Sequence, residues 1–181
     1  KVLDPPQGTT GHKAQLYQCL NEVCRRLAQG ASPSPELLQE WVLFRPFAVH
    51  VNNAIQQLPR VPQVLFRGGK HRSELSEFPV GKQGNWGGFT SASSLRSQAA
   101  QFVSKTAALK ATQGSYFLIL SDEARPMYFL SKYPEEMEYL HPLNLELEVC
   151  DLLPASILQM LSLDVTIVTL KCAGRHIGLE Q

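Results

Sequence analysis

No charge of one sign dominates this sequence: 17 lysines and arginines face 16 aspartates and glutamates, for a formal net charge of +1. Such a balance supplies no basic field of the kind that displaces counterions from nucleic acid, so nucleic acid is not an expected partner. Long apolar runs are missing as well. Nothing approaches the ~20 residues a membrane helix needs, and the opening KVLDPPQGTTGHK lacks the apolar core of a secretory leader. The compartment stays open, intracellular or secreted. There is no internal repeat and no low-complexity stretch longer than ASPSP. What remains is 181 residues, 44% hydrophobic and 18% charged, enough apolar surface for one globular unit around one core.

Cysteine is scarce, at four residues, and no CxxC pair occurs. Cys19 and Cys24 lie five apart on a helical pattern, which rotates them away from each other and suits neither a disulfide nor a shared zinc site. Reduced thiols are the expectation, with one Cys150–Cys172 bridge between late strands as the alternative. His71, His141 and His176 are scattered and make no metal set, so no metal is expected.

From His12 to Gln29 the apolar positions Leu16, Leu20, Val23, Cys24 and Leu27 recur at helical steps, and Gly30 reads as a stop. A second helix follows, with Ser34 as N-cap, Pro35 in its first turn, and Leu37, Leu38, Trp41 and Val42 on its inner face. Pro46 should kink or interrupt it before AVHVNNAIQQL resumes. QVLFRGG then reads as a buried strand closed by paired glycines. Gly81, Gly84, Gly87 and Gly88 surround Trp86 and predict a loop whose backbone approaches something closely. GGFTSAS is a strand, after which Ser94 should cap a helix through Leu95, Ala99, Phe102 and Val103. SYFLIL, PMYFL, EMEYLHP, NLELEVC and VTIVTLKC read as strands, with LPASILQMLS as a short helix or turn. Helices first and then a mainly antiparallel sheet place the chain in the α+β class.

Three segments could carry chemistry. Arg67-Gly68-Gly69 offers a guanidinium and backbone N–H groups to a phosphate or amide. In FTSAS, Ser91 and Ser93 share one strand face and can point into one cleft. In YPEEMEYLHP, Glu136 and Glu138 are two apart and should face one side of an extended segment, with Met137 and Tyr139 on the other. Two carboxylates that close raise the pKa of at least one and stabilise positive charge. Taken alone, RGG is a common turn, SxS a common polar strand face and ExE a common solvated surface.

Together and in this order, VLFRGG, GFTSAS and EEMEYLHP resemble the three signatures of the R-S-E class of mono-ADP-ribosyltransferases, the family of clostridial-type toxins and arginine-specific vertebrate ecto-enzymes. The motif-bearing stretch runs from Val64 to Pro142, and the proline four residues after Glu138 also fits. The resemblance implies one catalytic domain over 1–181: a helical part over about 1–60, then a mainly antiparallel two-sheet β core over about 61–181. It implies NAD as co-substrate and an acceptor protein as partner. Arg67 would contact the NAD phosphates or adjacent ribose, and the Gly68 backbone would hold the nicotinamide amide. Ser91, with Ser93 beside it in the NAD site, would orient Glu138 and the nicotinamide ribose. Glu138 would stabilise the oxocarbenium-like transition state, and Glu136 would activate the acceptor, which in this family goes with arginine. Leu130–Met137 would recognise the acceptor, with Tyr133 as a contact, while Trp86 reads as a core tryptophan rather than a cleft one. NAD hydrolysis and a silent binding module of the same fold are the alternatives.

Overall fold

The computed structural model describes residues 16–28, 32–69, 74–104, 114–160 and 165–175. Its elements are α1 (Leu16–Ala28), α2 (Pro35–Gln56), β1 (Gln63–Gly69), β2 (Gln83–Trp86), β3 (Thr90–Ser93), α3 (Arg96–Ser104), β4 (Gly114–Ser121), β5 (Arg125–Pro126), β6 (Glu138–His141), β7 (Leu145–Leu152), α4 (Ala155–Met160) and β8 (Val165–Arg175). Short 3-10 turns occupy Leu75–Glu77 and Pro134–Glu136. The residues expected to begin and stop the first helix, together with His71 and His176, lie outside the described residues.

Amphipathic spacing makes both long helices, and burial corrects which faces they bury. α1 turns Leu20, Val23 and Cys24 inward, but Leu16, expected in that stripe, is exposed. α2 begins as expected: the Ser34 side chain accepts from the Leu37 N–H at 3.2 Å, and proline stands at the first helical position. Its buried stripe runs through Leu37, Ala48, Asn52 and Ile55, with Trp41 and Phe44 packed beside it. Leu38 and Val42 face outward, Val42 being 68% exposed. Pro46 does not interrupt α2. It sits on the exposed side, one turn after exposed Val42, where water can take the backbone bond that proline cannot make.

The strands form one hydrogen-bonded sheet in the order β2-β7-β8-β4-β1-β3-β6-β5, not the two expected. Every neighbouring pair is antiparallel except β4 with β8. A larger arm, β2 to β1, meets a smaller arm, β3 to β5, through a single register pair, Phe66 with Ser93. The sheet folds over at that pair. If the sheet ran on flat across β1 and β3, Ser121 and His141 would lie six ladder positions apart, roughly 20 Å along the strands. Instead Ser121 Oγ and His141 Nε2 are 2.9 Å apart. Between the arms lies the main core, where Leu65, Ile119 and Leu147 pack with Ala92 and Tyr139.

Several local expectations fall. The glycine-rich stretch contains β2, an edge strand on β7, so only Gly87 and Gly88 keep the predicted close approach: a Cβ on Gly87 would meet the Cys24 carbonyl oxygen of α1 at 2.5 Å. PMYFL is a strand only at Pro126 and then turns through Tyr128–Leu130. The hydroxyl that meets the start of α3 is that of Ser93, which accepts from the Leu95 N–H at 2.9 Å, not that of Ser94. The expectation of reduced thiols holds, with Cys19, Cys24, Cys150 and Cys172 all free; the alternative bridge fails because in the β7–β8 register Cys172 pairs with Leu147 rather than Cys150. Among the described residues no helix is long and apolar enough to cross a membrane.

His141 is a core residue with 0% exposure. Its pKa is pushed down to about 4, above all by burial and also by the Arg67 and Arg125 charges, against the opposing Thr90 hydrogen bond and Glu123 charge. Unfolded, it titrates at about 6.5. Between those values the unfolded chain binds the extra proton, so stability is complete above the upper value and declines as pH falls toward the lower. Between pH 7 and 4, wild type is expected to lose about 3 kcal/mol more than a His141→Gln variant. Urea midpoints at both pH values measure this, and an equal loss in the two proteins contradicts it.

Candidate active site

On the α1 side the arms of the sheet and the two long helices enclose a cleft of about 540 Å³. Arg67 and Gly68 of β1, Ser91 and Ser93 of β3, and Glu136 and Glu138 all line it, so the six residues singled out in the sequence converge on one space. Tyr17, Leu20 and Asn21 of α1, with Phe47 and Val51 of α2, form its opposite wall. Sequence reasoning missed that wall. Its one sequence signal was the glycine pair that lets α1 seat.

Strand alternation explains the floor. Ser91 and Ser93 point into the cleft while Ala92 between them is buried in the core. Ser91 Oγ donates to Glu138 Oε1 at 2.6 Å, a short charge-assisted bond joining β3 to β6. Beyond Phe66, β1 has no further pairing with β3, and Arg67 crosses the opening: its Nη1 donates to the Ser91 carbonyl. Burial first, and the nearby Arg25 charge second, lower the Arg67 pKa, yet a guanidinium keeps its charge at neutral pH. A fixed cation thus stands beside a serine-held carboxylate.

Glu136 reaches the same cleft by a route other than the one predicted. The segment is not extended there: Pro134–Glu136 is a 3-10 turn, and Met137 takes a left-handed backbone with φ 46° before β6 begins at Glu138. The side-chain alternation of a strand therefore does not govern Glu136. Ser93 does: its hydroxyl donates to the Glu136 carbonyl at 2.6 Å, while the Ser94 N–H donates to the Met137 carbonyl at 3.2 Å. These two bonds pin the turn to the end of β3, and the proton of the Ser93 hydroxyl is committed to it.

Tyr133 is half-exposed, with Lys132 Nζ 5.5 Å from its ring centroid. Leu130, the first residue of the expected acceptor segment, is exposed on the same connection, and so is Phe129, which the sequence did not single out. Trp86 does not line the cleft; it packs against the main core, edge-to-face with Phe117 at 5.5 Å, with the Arg67 guanidinium carbon 5.8 Å from its ring. Among the described residues no group of three or more His, Cys, Asp or Glu side chains could hold a metal ion.

No protein-family model matches the chain, and no curated protein matches it by sequence. Solved structures do match by shape. The Vis toxin, an ADP-ribosyltransferase from Vibrio splendidus, aligns with 91% of this chain and 70% of its own at TM-score 0.62 and 18% identity. Vis is also known in complex with agmatine, aligning with 87% of this chain and 68% of that one at TM-score 0.60 and 18% identity. Exoenzyme S from Pseudomonas aeruginosa, solved with human 14-3-3 protein beta and bound to Carba-NAD, aligns with 90% of this chain and 73% of its own at TM-score 0.59 and 19% identity. The chain has the fold of the mono-ADP-ribosyltransferases.

Proposed function

Starting from that fold, we propose that the chain is a mono-ADP-ribosyltransferase, acting as one catalytic domain that moves ADP-ribose from NAD to a protein side chain, preferably arginine. The observation that carries the reading is the Ser91–Glu138 bond of 2.6 Å in a cleft that also holds Arg67. Complexes of fold neighbours support it: exoenzyme S is bound to Carba-NAD, and Vis is in complex with agmatine, whose end group is a guanidinium like that of arginine.

Arg67 would neutralise the donor's phosphates, with the Gly68 backbone on the nicotinamide amide. As the bond from C1′ of the ribose to the nicotinamide nitrogen breaks, nicotinamide leaves with the electron pair and positive charge spreads over the sugar ring. Glu138, already aimed by Ser91, stabilises that charge without reorganising. An acceptor guanidinium is not nucleophilic while charged, so a base must take its proton as its nitrogen bonds to C1′. Glu136 is the carboxylate available for that task, held at the cleft through its own backbone. Exposed Tyr133, Phe129 and Leu130 would meet the acceptor.

Substituting Glu136→Gln is expected to lower labelling of an arginine-rich acceptor by about 10²-fold or more while nicotinamide release into water stays within about threefold. Parallel assays with radiolabelled NAD read both. Equal loss of the two activities would overturn the assignment of Glu136, and a wild type that binds NAD but releases no nicotinamide would leave a binding module.

A further inference from the structure

The residues of the proposed reaction are divided between the two arms of the sheet. Arg67 stands on β1 in the larger arm, and Ser91 and Glu138 stand on β3 and β6 in the smaller. The ladder joins the arms at the single pair Phe66–Ser93, and on the cleft side the bond from Arg67 Nη1 to the Ser91 carbonyl adds one link beside it, so pairing at this seam alone leaves the mutual angle of the arms weakly held.

One polar chain spans the arms on the core side. His141 of β6 lies 3.2 Å through Nδ1 from the Thr90 carbonyl of β3, and 2.9 Å through Nε2 from the Ser121 hydroxyl at the end of β4. A carbonyl can only accept, so Nδ1 carries the ring proton and Nε2 accepts from Ser121. The two lone pairs of the Ser121 oxygen are then shared among the Glu123 and Ala124 N–H groups, at 3.2 and 3.1 Å, and the weak Cys172 thiol donor of β8, at 3.5 Å. Donor and acceptor roles are thereby fixed along the whole chain. The low pKa of the buried ring keeps it neutral, as these roles require. Thr90 adjoins Ser91 and pairs with His141, three residues beyond Glu138, so the tie ends on the two strands that carry the reacting pair.

We propose that His141 is a positioning residue: through the Ser121 hydroxyl it fixes the arm that presents Ser91 and Glu138 against the arm that presents Arg67. The inference rests on the transferase reading given above. Phosphate binding belongs to the Arg67 arm, so slack between the arms should leave donor affinity in place and misplace the carboxylate that acts in the transition state. A misplacement of about 1 Å can cost about 10²-fold in rate.

Two near-isosteric variants separate the halves of the tie. The terminal amide of His141→Asn stands near the place of Nδ1 and can still donate to Thr90, but it stops short of Ser121. In His141→Gln the amide reaches the place of Nε2 and keeps the bond between the arms. Nicotinamide release from NAD is measured for wild type and both variants, with the folded fraction read by circular dichroism at the assay temperature. We expect kcat of His141→Asn to fall at least about tenfold with KM for NAD within about threefold, and His141→Gln to stay within about threefold of wild type in both. Equal kcat in the two variants, or a loss in the Asn variant that merely tracks its folded fraction, overturns the inference. If the Asn variant does not fold, Ser121→Ala severs the tie from the other arm and carries the same expectation and the same disproof. A wild type that releases no nicotinamide overturns the transferase reading itself, and this inference with it.

Discussion

Glu138→Gln is expected to depress nicotinamide release from NAD by about 10²- to 10³-fold and transfer to an acceptor by the same factor. The substitution keeps size, and its amide oxygen can still accept from Ser91 Oγ, which now sits 2.6 Å from a carboxylate oxygen. Strand pairing of Ser93 with Glu138 and of Thr90 with His141 involves backbone only and is left intact. What disappears is the negative charge facing the ribose as it becomes cationic. The loss should fall on kcat, with donor affinity changed by no more than a few-fold, because the stabilisation is made in the transition state. Calorimetric titration with NAD beside steady-state kinetics separates the two quantities. Activity within tenfold of wild type would remove Glu138 from the reaction.

Gly87→Ala should strike the cleft from outside. A Cβ there would stand 2.5 Å from both the Cys24 carbonyl oxygen and the Ala28 Cβ, and the carbonyl belongs to a helix backbone that cannot rotate away. α1 must back off, and it carries Tyr17, Leu20 and Asn21, which form one wall of the cleft. Its anchoring is specific: the Asn21 side chain accepts from the Phe89 N–H at 2.9 Å and donates to the Phe89 carbonyl at 3.2 Å, and a shift of the helix strains both bonds. We expect a stability loss of about 2 to 3 kcal/mol, typical of overpacking, together with a raised KM for NAD. Gly84→Ala, where an added Cβ meets nothing within 4 Å, serves as the control and should change neither. Thermal melts and NAD titrations of both variants decide the matter. A melting temperature and KM unchanged in Gly87→Ala would show that α1 does not seat as described.

The site was legible wherever chemistry followed strand periodicity. Ser91 and Ser93 were placed on one face by alternation alone, and so they stand, with Ala92 turned to the core. Glu136 lines the same cleft, but not by alternation: the left-handed backbone at Met137 breaks the strand pattern there, and no residue pattern announces it. The stripe of α2 is ambiguous in sequence because Leu37-Leu38 and Trp41-Val42 offer two overlapping helical stripes, and only packing chooses the one through Leu37 and Trp41. The fold of the sheet was hidden for a different reason. In the sequence His141 is one of several scattered histidines, because its partners, Ser121 and Thr90, are 20 and 51 residues away. Contacts of that separation follow from topology, and local pattern carries no record of them.

The backbone at Met137 also constrains how this sequence can drift. A β-branched residue is poorly tolerated at φ 46°, whereas glycine or asparagine would fit with less strain. Valine or isoleucine between the two glutamates would favour continuing β6 backward through the turn, and Glu136 would then be placed by strand alternation instead of by the bond from Ser93. Glu135, exposed on the same turn, is under no such restriction. Substitution in this segment should therefore be permissive at 135 and narrow at 137, so that descendants of this chain would preserve a backbone angle more faithfully than the side chain that happens to occupy it.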